Sequence, residues 1–242
     1  MQAFILLAQS VLVVFAAASL NGAFPEIGKQ FEAQHPGVNV NFSFNGSQIL
    51  ESQLAQGGKA DVFASADQRW MDKATADGLV NTAASFAANS LVIAVSNTSK
   101  VQTASDLATP GTSFVVCADA VPCGRYTRII LQKMDSDPKY GPSYSKAVQK
   151  NIVSEELDVE SVLTKIKLGA ADAGVVYRSD VVGSAQKLRV VEFPSNDQPT
   201  VVYPIAVCKE SASPDLAAAF VAYVRSSDGQ AILKRFGFTP AP

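Results

Sequence analysis

Residues 11–20 read VLVVFAAASL, and this stretch decides the fold class. Val11–Ala17 is apolar without a break, which is typical of a strand that is buried on both faces. Ser19 follows, and an amphipathic helix is predicted from about Asn21 to Gln34. A second strand is predicted over Val38–Phe44. A buried strand, a helix and another strand in this order indicate a βαβ unit with a parallel sheet.

The same alternation of strands and helices continues along the chain. Further strands are predicted over Asp61–Ser65, Ser90–Val95, Phe114–Cys117, Ala173–Tyr177, Leu188–Val191 and Val201–Val207. Helices are predicted over Gln48–Gln56, Trp70–Asp77, Arg125–Met134, Val159–Leu168, Pro214–Arg225 and Gly229–Phe236. The pattern favours an α/β fold with mostly parallel sheets, in which ligands bind at the carboxyl ends of strands.

Composition excludes several classes of protein. The 242 residues are 48% hydrophobic and 17% charged, so the chain can bury a sizeable core and is not disordered. A net charge of −2 is not that of a nucleic-acid binder. The single histidine, His35, lies in a turn-like run, which argues against zinc sites and histidine-activated nucleophiles. No apolar stretch after the N-terminus is long enough to be a transmembrane helix.

The N-terminus and the cysteines bear on the compartment. The apolar run Ala3–Leu7 and the small residues after it are similar to the tail of a secretory signal cleaved near Ser10, and the alternative is a lead-in to the first strand. Cys117 and Cys123 are six residues apart in a loop-like run, and in an oxidising compartment a disulfide between them is expected. Cys208, in an apolar strand, is expected to be an inert buried thiol.

Helix starts that follow strands are the candidate functional sites. Ser19 and Ser47 each stand where a helix begins, Cys123-Gly124 precedes another helix, and Asp158-Val159 opens a fourth. Free N–H groups at helix N-termini attract anions, and serine hydroxyls and the phenol of Tyr177 would add neutral donors. The alternative is that the serines are ordinary N-caps and that Tyr177 is a packing residue.

Charged residues near these junctions have structural interpretations. Asp67 is expected to cap a helix, since a carboxylate facing an anion would repel it. Arg125 and Arg128 are solvated helix residues in one interpretation and long-range attractors of an anion in the other. Glu155 and Glu156 are expected to be solvated charges ahead of a helix rather than an acid–base pair.

Several longer runs of the sequence form a recognisable combination. They are Val14–Leu20 (VFAAASL), Ala60–Asp72 (ADVFASADQRWMD), Val121–Tyr126 (VPCGRY), Gly174–Asp180 (GVVYRSD), Tyr203–Val207 (YPIAV) and Arg235–Phe238 (RFGF). The combination of the first two runs is the most specific part. Together these runs resemble the molybdate-binding proteins of ABC transporters, and the resemblance covers about residues 11–240.

The resemblance implies a two-lobed, type 2 periplasmic-binding-protein fold with the anion between the lobes. Lobe 1 is expected to comprise residues 1–88, with the signal remnant in 1–10, and the return segment 203–242. Lobe 2 is expected to comprise residues 89–202. The implied ligand donors are the hydroxyls of Ser19, Ser47 and Tyr177 and the backbone amides of Cys123 and Val159. A Cys117–Cys123 bridge would stiffen the turn before one of these amides.

The resemblance also implies the function. We expect a monomeric, extracytoplasmic protein that binds molybdate, and tungstate as well, and delivers it to a membrane permease. No cofactor, no other metal site and no catalytic residue is expected. A hydrolase or transferase is the first competing interpretation, but the chain lacks the GxSxG, GxxxxGK[ST] and GxGxxG motifs. A ligand-sensing domain of a regulator is the second, but no helix-turn-helix segment is recognised in these residues.

Overall fold

The computed structural model describes residues 10–182, 184 and 188–242, and strands and helices alternate through them. The strands are β1 (Ser10–Ala17), β2 (Val38–Asn45), β3 (Val62–Ala64), β4 (Ala84–Asn89), β5 (Leu91–Val95), β6 (Phe114–Cys117), β7 (Ile152–Glu156), β8 (Ala173–Tyr177), β9 (Arg189–Glu192) and β10 (Val201–Val207). The α-helices are α1 (Phe24–Gln34), α2 (Ser47–Ala55), α3 (Gln68–Ala76), α4 (Pro122–Met134), α5 (Tyr144–Lys150), α6 (Val159–Lys167), α7 (Arg178–Val182), α8 (Pro214–Arg225) and α9 (Ser227–Arg235). Short 3₁₀ turns cover Ala18–Leu20, Ala104–Ala108 and Ser195–Asp197.

The strands form two five-stranded sheets, in the orders β2-β1-β3-β10-β4 and β7-β6-β8-β5-β9. We call the first sheet with α1–α3, α8 and α9 lobe 1, and the second sheet with α4–α7 lobe 2. In lobe 1, β1 pairs in parallel with β2 and β3, whereas β10 runs antiparallel to both its neighbours. In lobe 2, β6 pairs in parallel with β7 and β8, and β5 runs antiparallel to β8 and β9. Both sheets are therefore mixed, because one strand in each is reversed.

The reversed strands are the ones that carry the chain between the lobes. β4 ends at Asn89 in lobe 1 and β5 begins at Leu91 in lobe 2, so a single residue separates them. The chain returns through Ser195–Asp197 into β10. The Gln198 side chain joins the two crossings: its Nε2 donates to Leu91 O (2.7 Å), and its Oε1 accepts from Leu91 N (3.3 Å). The lobes are thus linked by two adjacent segments that can act as one hinge.

Buried apolar residues occupy both faces of the central strands. In β1, Leu12, Val14 and Ala16 are fully buried on one face of the sheet, and Phe15 and Ala17 are buried on the other, as the unbroken apolar run predicted. Helix α1 packs Phe31 edge-on against Phe220 of α8, with the ring centroids 5.3 Å apart. Among the residues described, no helix has the length and apolar character that crossing a membrane requires.

Some elements differ from the sequence-based expectation. Helix α1 begins at Phe24 rather than near Asn21, because a 3₁₀ turn comes first and Pro25 fits the first turn of the helix. Strands β4 and β7 and helices α5 and α7 were not predicted; both strands lie at sheet edges, and β7 lacks a continuous apolar run. Glu155 and Glu156 lie on β7, just ahead of α6, and form ion pairs with Arg128 and Lys165. The prediction of solvated charges is right for Glu155, whose side chain is 46% exposed, and wrong for Glu156, whose side chain is 15% exposed. Apart from Ser10, which opens β1, the predicted signal remnant lies outside the described residues.

Candidate functional site

A small cavity of about 10 Å³ lies where the two lobes meet. It is smaller than the roughly 300–1,000 Å³ that is usual for pockets that bind organic ligands. The structure brings all five residues of the predicted ligand set to this one cavity. They are Ser19 and Ser47 from lobe 1 and Cys123, Val159 and Tyr177 from lobe 2; the other lining residues are Ala17, Ala18, Asn45, Gly46, Ala66, Val121 and Pro122.

The residues that line the cavity carry no formal charge. Any anion held there would therefore be held by neutral N–H and O–H dipoles. Such dipoles are effective in a site that excludes water, because the local dielectric constant is low and their attraction is little screened.

The two serines of lobe 1 are not N-caps. Ser19 lies inside the 3₁₀ turn, and its Oγ is 2.8 Å from the hydroxyl of Tyr203. Ser47 is the first residue of α2, and its Oγ accepts a hydrogen bond from Ala66 N at 3.0 Å. Both side chains are buried. Capping, the structural alternative for these serines, therefore does not account for them.

Helices α4 and α6 direct their first turns at the cavity from lobe 2. The first hydrogen bond of α4 runs from Arg125 N to Val121 O, so the amide of Cys123 precedes the helical ladder. In α6, the Asp158 carboxylate accepts from Ser161 N (2.8 Å) and from Ser161 Oγ (2.9 Å). That cap uses a later N–H of the turn, so the amide of Val159 remains available to a ligand.

Gly124 lets α4 begin so close to the end of β6. A Cβ at this position would lie 2.1 Å from Ala118 O and 2.4 Å from Cys117 O, and such contacts are impossible. A side chain here would push the first turn of α4 away from the cavity. The glycine of the VPCG run therefore positions the amide next to it.

Tyr177 ends strand β8 and is 2% exposed. Its hydroxyl oxygen is fully buried and has no hydrogen-bond partner among the described residues. Buried hydroxyls without partners are rare, because each costs about 1–3 kcal/mol of lost hydration. Burial, and then the neighbouring Tyr203 hydroxyl, raises the pKa of Tyr177 well above its usual value, so the group stays a neutral donor. A hydroxyl in this state is suited to a guest that accepts hydrogen bonds.

The predicted disulfide is absent from the structure. Cys117, Cys123 and Cys208 are all free and buried. The Cys123 thiol donates to Val175 O at 3.4 Å. Burial raises the pKa of Cys117 well above its usual value, which keeps its thiol protonated and unreactive. Cys208 is a buried thiol as expected.

The acidic residues near the site do not line the cavity. Asp67 caps α3 by accepting from Trp70 N at 3.1 Å, which confirms the capping prediction. Asp180 accepts from Tyr177 N at 2.7 Å and so fixes the end of β8. Burial raises the pKa of both carboxyl groups, which disfavours negative charge beside an anion site. Arg128 is a structural residue that bonds Cys117 O, Gly124 O and Glu155.

Contacts between the lobes close the cleft over the cavity. Gln48 Nε2 of lobe 1 donates to Leu157 O of lobe 2 at 2.7 Å. Trp70 Nε1 of lobe 1 donates to Ala120 O of lobe 2 at 2.9 Å. Gly46 approaches Leu157 O so closely that a Cβ would lie 2.5 Å from it. The structure is therefore that of a closed cleft.

Comparison with known proteins agrees with this geometry. The profile of a family described as "Bacterial extracellular solute-binding protein" matches residues 12–239. The chain is 46% identical to "Molybdate-binding protein ModA" of Mycobacterium tuberculosis, over 94% of this chain and 84% of that one. It is 34% identical to the protein of the same name from Escherichia coli, over 94% of this chain and 88% of that one.

The fold is similar to that of a solved structure. The periplasmic molybdate-binding protein of Azotobacter vinelandii superposes with a TM-score of 0.82 at 23% identity, covering 96% of this chain and all of that one. At this identity the similarity concerns the fold, and it agrees with the two-lobed α/β architecture predicted from the sequence. The match of the family profile over nearly the whole length is what assigns the family: this chain belongs to the bacterial extracellular solute-binding proteins.

Proposed function

We propose that this protein captures molybdate outside the cytoplasm, binds tungstate as well, and delivers the oxyanion to the permease of an ABC transporter. The observation that carries the proposal is the set of neutral donors around one small cavity, above all the buried Tyr177 hydroxyl that has no partner among the described residues. The proposal is supported by relatives that are named for molybdate binding.

The donor set suits a tetrahedral dianion that carries no proton. Molybdate, tungstate and sulfate are fully deprotonated at neutral pH, so every oxygen accepts hydrogen bonds and none donates. The hydroxyls of Ser19, Ser47 and Tyr177 and the amides of Cys123 and Val159 would supply donors from both lobes. Hydrogen phosphate would bring a proton that needs an acceptor, and none of these groups is a carboxylate.

Selection against sulfate must come from size, because its hydrogen-bonding requirements are the same. Metal–oxygen bonds in molybdate and tungstate are longer than the sulfur–oxygen bonds of sulfate. A closed cleft of fixed volume would bring all its donors to the larger ion at once, and only some of them to the smaller.

The proposed activity is capture and release rather than catalysis, and we propose that the protein acts as a monomer. The contacts from Gln48 to Leu157 O and from Trp70 to Ala120 O join the lobes at the cleft. Closure around an anion would bring the two lobes into a fixed relative position. A permease could then distinguish the loaded protein from the empty one by that position.

Calorimetry with molybdate, tungstate, sulfate and phosphate on one preparation tests the proposal. We expect tight one-to-one binding of molybdate and tungstate, weaker binding of sulfate and the weakest binding of phosphate. Ser47→Ala should weaken molybdate binding, while Ser43→Ala, a matched change on β2 away from the cavity, should not. Binding of sulfate or phosphate in preference to molybdate, or equal binding by the two serine variants, would refute the assignment.

A further inference from the structure

Behind Ser19 lies a buried chain of polar side chains that does not touch the cavity. The Tyr203 hydroxyl is 2.8 Å from Ser19 Oγ, and Asn89 Nδ2 lies 3.4 Å from the same Tyr203 oxygen. Tyr203 is fully buried and Asn89 is 8% exposed. Neither residue lines the cavity, so any effect they have on a ligand must pass through lining residues that Tyr203 touches: Ser19 through the hydrogen bond, or Tyr177 through the ring contact at 5.8 Å.

The donor-to-acceptor direction of these hydrogen bonds follows from the orientation of the Asn89 amide. Its Oδ1 accepts from Ser90 N at 2.9 Å, and this bond sets which end of the amide faces Tyr203. The end that faces Tyr203 is the NH₂ group, which can only donate. The Tyr203 oxygen therefore accepts from Asn89, and its own proton is directed to the remaining neighbour, Ser19 Oγ.

We infer that Asn89 and Tyr203 are positioning residues for Ser19. Tyr203 donates a hydrogen bond to Ser19 Oγ, so the Ser19 proton is directed into the cavity and the Ser19 hydroxyl acts there as a donor. The inference rests on the proposed function and deepens it, because it assigns selection of an unprotonated oxyanion to residues outside the cavity. Burial keeps the Tyr203 hydroxyl protonated, because it raises the pKa of that group well above its usual value.

Ser47 reaches the same state by a different route. Its Oγ accepts from the backbone N–H of Ala66, which leaves the Ser47 proton free for a ligand. Both serines thus have an accepting lone pair occupied by a protein donor. An anion that carries a proton needs an acceptor in the cavity, and each of these serine oxygens has only one lone pair left for that role.

The hydrogen-bonded side chains also connect the two lobes at the hinge. Asn89 is the last residue of β4 in lobe 1, and its Nδ2 donates to Ser179 Oγ of lobe 2 at 2.9 Å. Ser179 Oγ in turn lies 3.4 Å from Ser19 O. The orientation of the Ser19 hydroxyl is therefore tied to contacts that join the lobes beside the crossover.

A double-mutant cycle of Tyr203→Phe and Ser19→Ala tests the inference. Calorimetry would use whichever of molybdate, tungstate and sulfate binds wild type most tightly. Removing the Tyr203 hydroxyl alone should weaken binding about 3- to 10-fold, the range expected for one buried hydrogen bond. In the Ser19→Ala background the same change should alter the dissociation constant by less than about twofold, because the residue it acts through is gone.

Selectivity is the second measurement, since a merely structural role would not change it. Tyr203→Phe frees the Ser19 oxygen to accept a hydrogen bond from a protonated anion. The substitution should therefore weaken phosphate binding less than it weakens binding of the unprotonated anion, as measured by competition at neutral pH. Tyr223→Phe, at a half-buried tyrosine of α8 outside the cavity, is the matched control and should change neither quantity. If Tyr203→Phe does not fold, Asn89→Ala takes its place in the same cycle.

The outcomes separate the inference from the proposed function. The inference would be overturned if the effects of Tyr203→Phe and Ser19→Ala on binding free energy were additive. It would also be overturned if the ratio of the affinities for phosphate and the unprotonated anion kept its wild-type value. Either result would leave the proposed function standing. Failure of wild type to bind any of the three anions would overturn the proposed function and the inference together.

Discussion

Replacement of Tyr177 by phenylalanine removes one oxygen atom from the candidate site. That oxygen is fully buried and has no hydrogen-bond partner among the described residues, so the ligand would be its partner. A hydrogen bond to a charged group contributes about 1.5–3 kcal/mol. Since about 1.4 kcal/mol corresponds to a factor of ten, the dissociation constant for molybdate should rise about ten- to hundredfold. Titration calorimetry of wild type and variant measures this ratio.

Stability of the ligand-free protein should not fall in the same variant. The ring keeps its edge contact with Tyr203, with the centroids 5.8 Å apart, and no hydrogen bond to a described residue is lost. Without ligand, the variant should therefore melt at the wild-type temperature. Addition of molybdate should raise its melting temperature less than it raises that of wild type, because the variant binds molybdate more weakly.

Tyr144→Phe is the opposite control. The Tyr144 hydroxyl donates to Ala104 O in the interior of lobe 2, away from the cavity. That variant should melt at a lower temperature and bind molybdate as wild type does. A dissociation constant for Tyr177→Phe within about twofold of wild type would refute the reasoning, because the hydroxyl would then contribute nothing to binding.

Three further outcomes are expected. Ser47→Ala should weaken molybdate binding by about 1–3 kcal/mol in calorimetry, because it removes a donor and leaves Ala66 N without its acceptor; an unchanged affinity would place Ser47 outside the site. Trp70 is the only tryptophan and donates to Ala120 O across the cleft, so molybdate should change its fluorescence emission; calorimetric binding with no spectral change would contradict closure through this contact. Burial raises the Asp180 pKa well above 3.8, so the folded protein holds this proton to higher pH than the unfolded chain, and unfolding free energy should fall as pH rises above 3.8. In Asp180→Asn the unfolding free energy, measured by urea denaturation at a series of pH values, should depend less steeply on pH. A pH dependence equal to that of wild type would show that Asp180 is not its source.

The central strands were predictable because burial on both faces requires an unbroken apolar run. Residues 11–17 and 173–177 have such runs, and the structure confirms strands there. Edge strand β7 escaped prediction because it is half exposed and carries Glu155 and Glu156, which find their cations only in the folded protein. Local sequence contains no information about which distant arginine or lysine such a glutamate will meet.

At the site, Ser19 and Ser47 likewise have some properties that the sequence predicts and others that depend on tertiary contacts. That Ser19 and Ser47 stand at strand-to-helix junctions is legible in the sequence, and the α/β alternation places such junctions at one edge of a sheet. That neither serine is a cap, and that each accepts from a separate protein donor, depends on Tyr203 and Ala66.

The amino-acid sequence by itself determined the fold class and the neutral residues that face the cavity, because hydrophobic periodicity and helix starts are local properties of the chain. Only the tertiary structure decided that the thiols of Cys117 and Cys123 stay free, that the Tyr177 hydroxyl lacks a partner among the described residues, and that Tyr203, 184 residues from Ser19, directs its proton. The physical reason is that burial and hydrogen-bond direction are set by neighbours brought together from both lobes, and sequence distance carries no record of that neighbourhood.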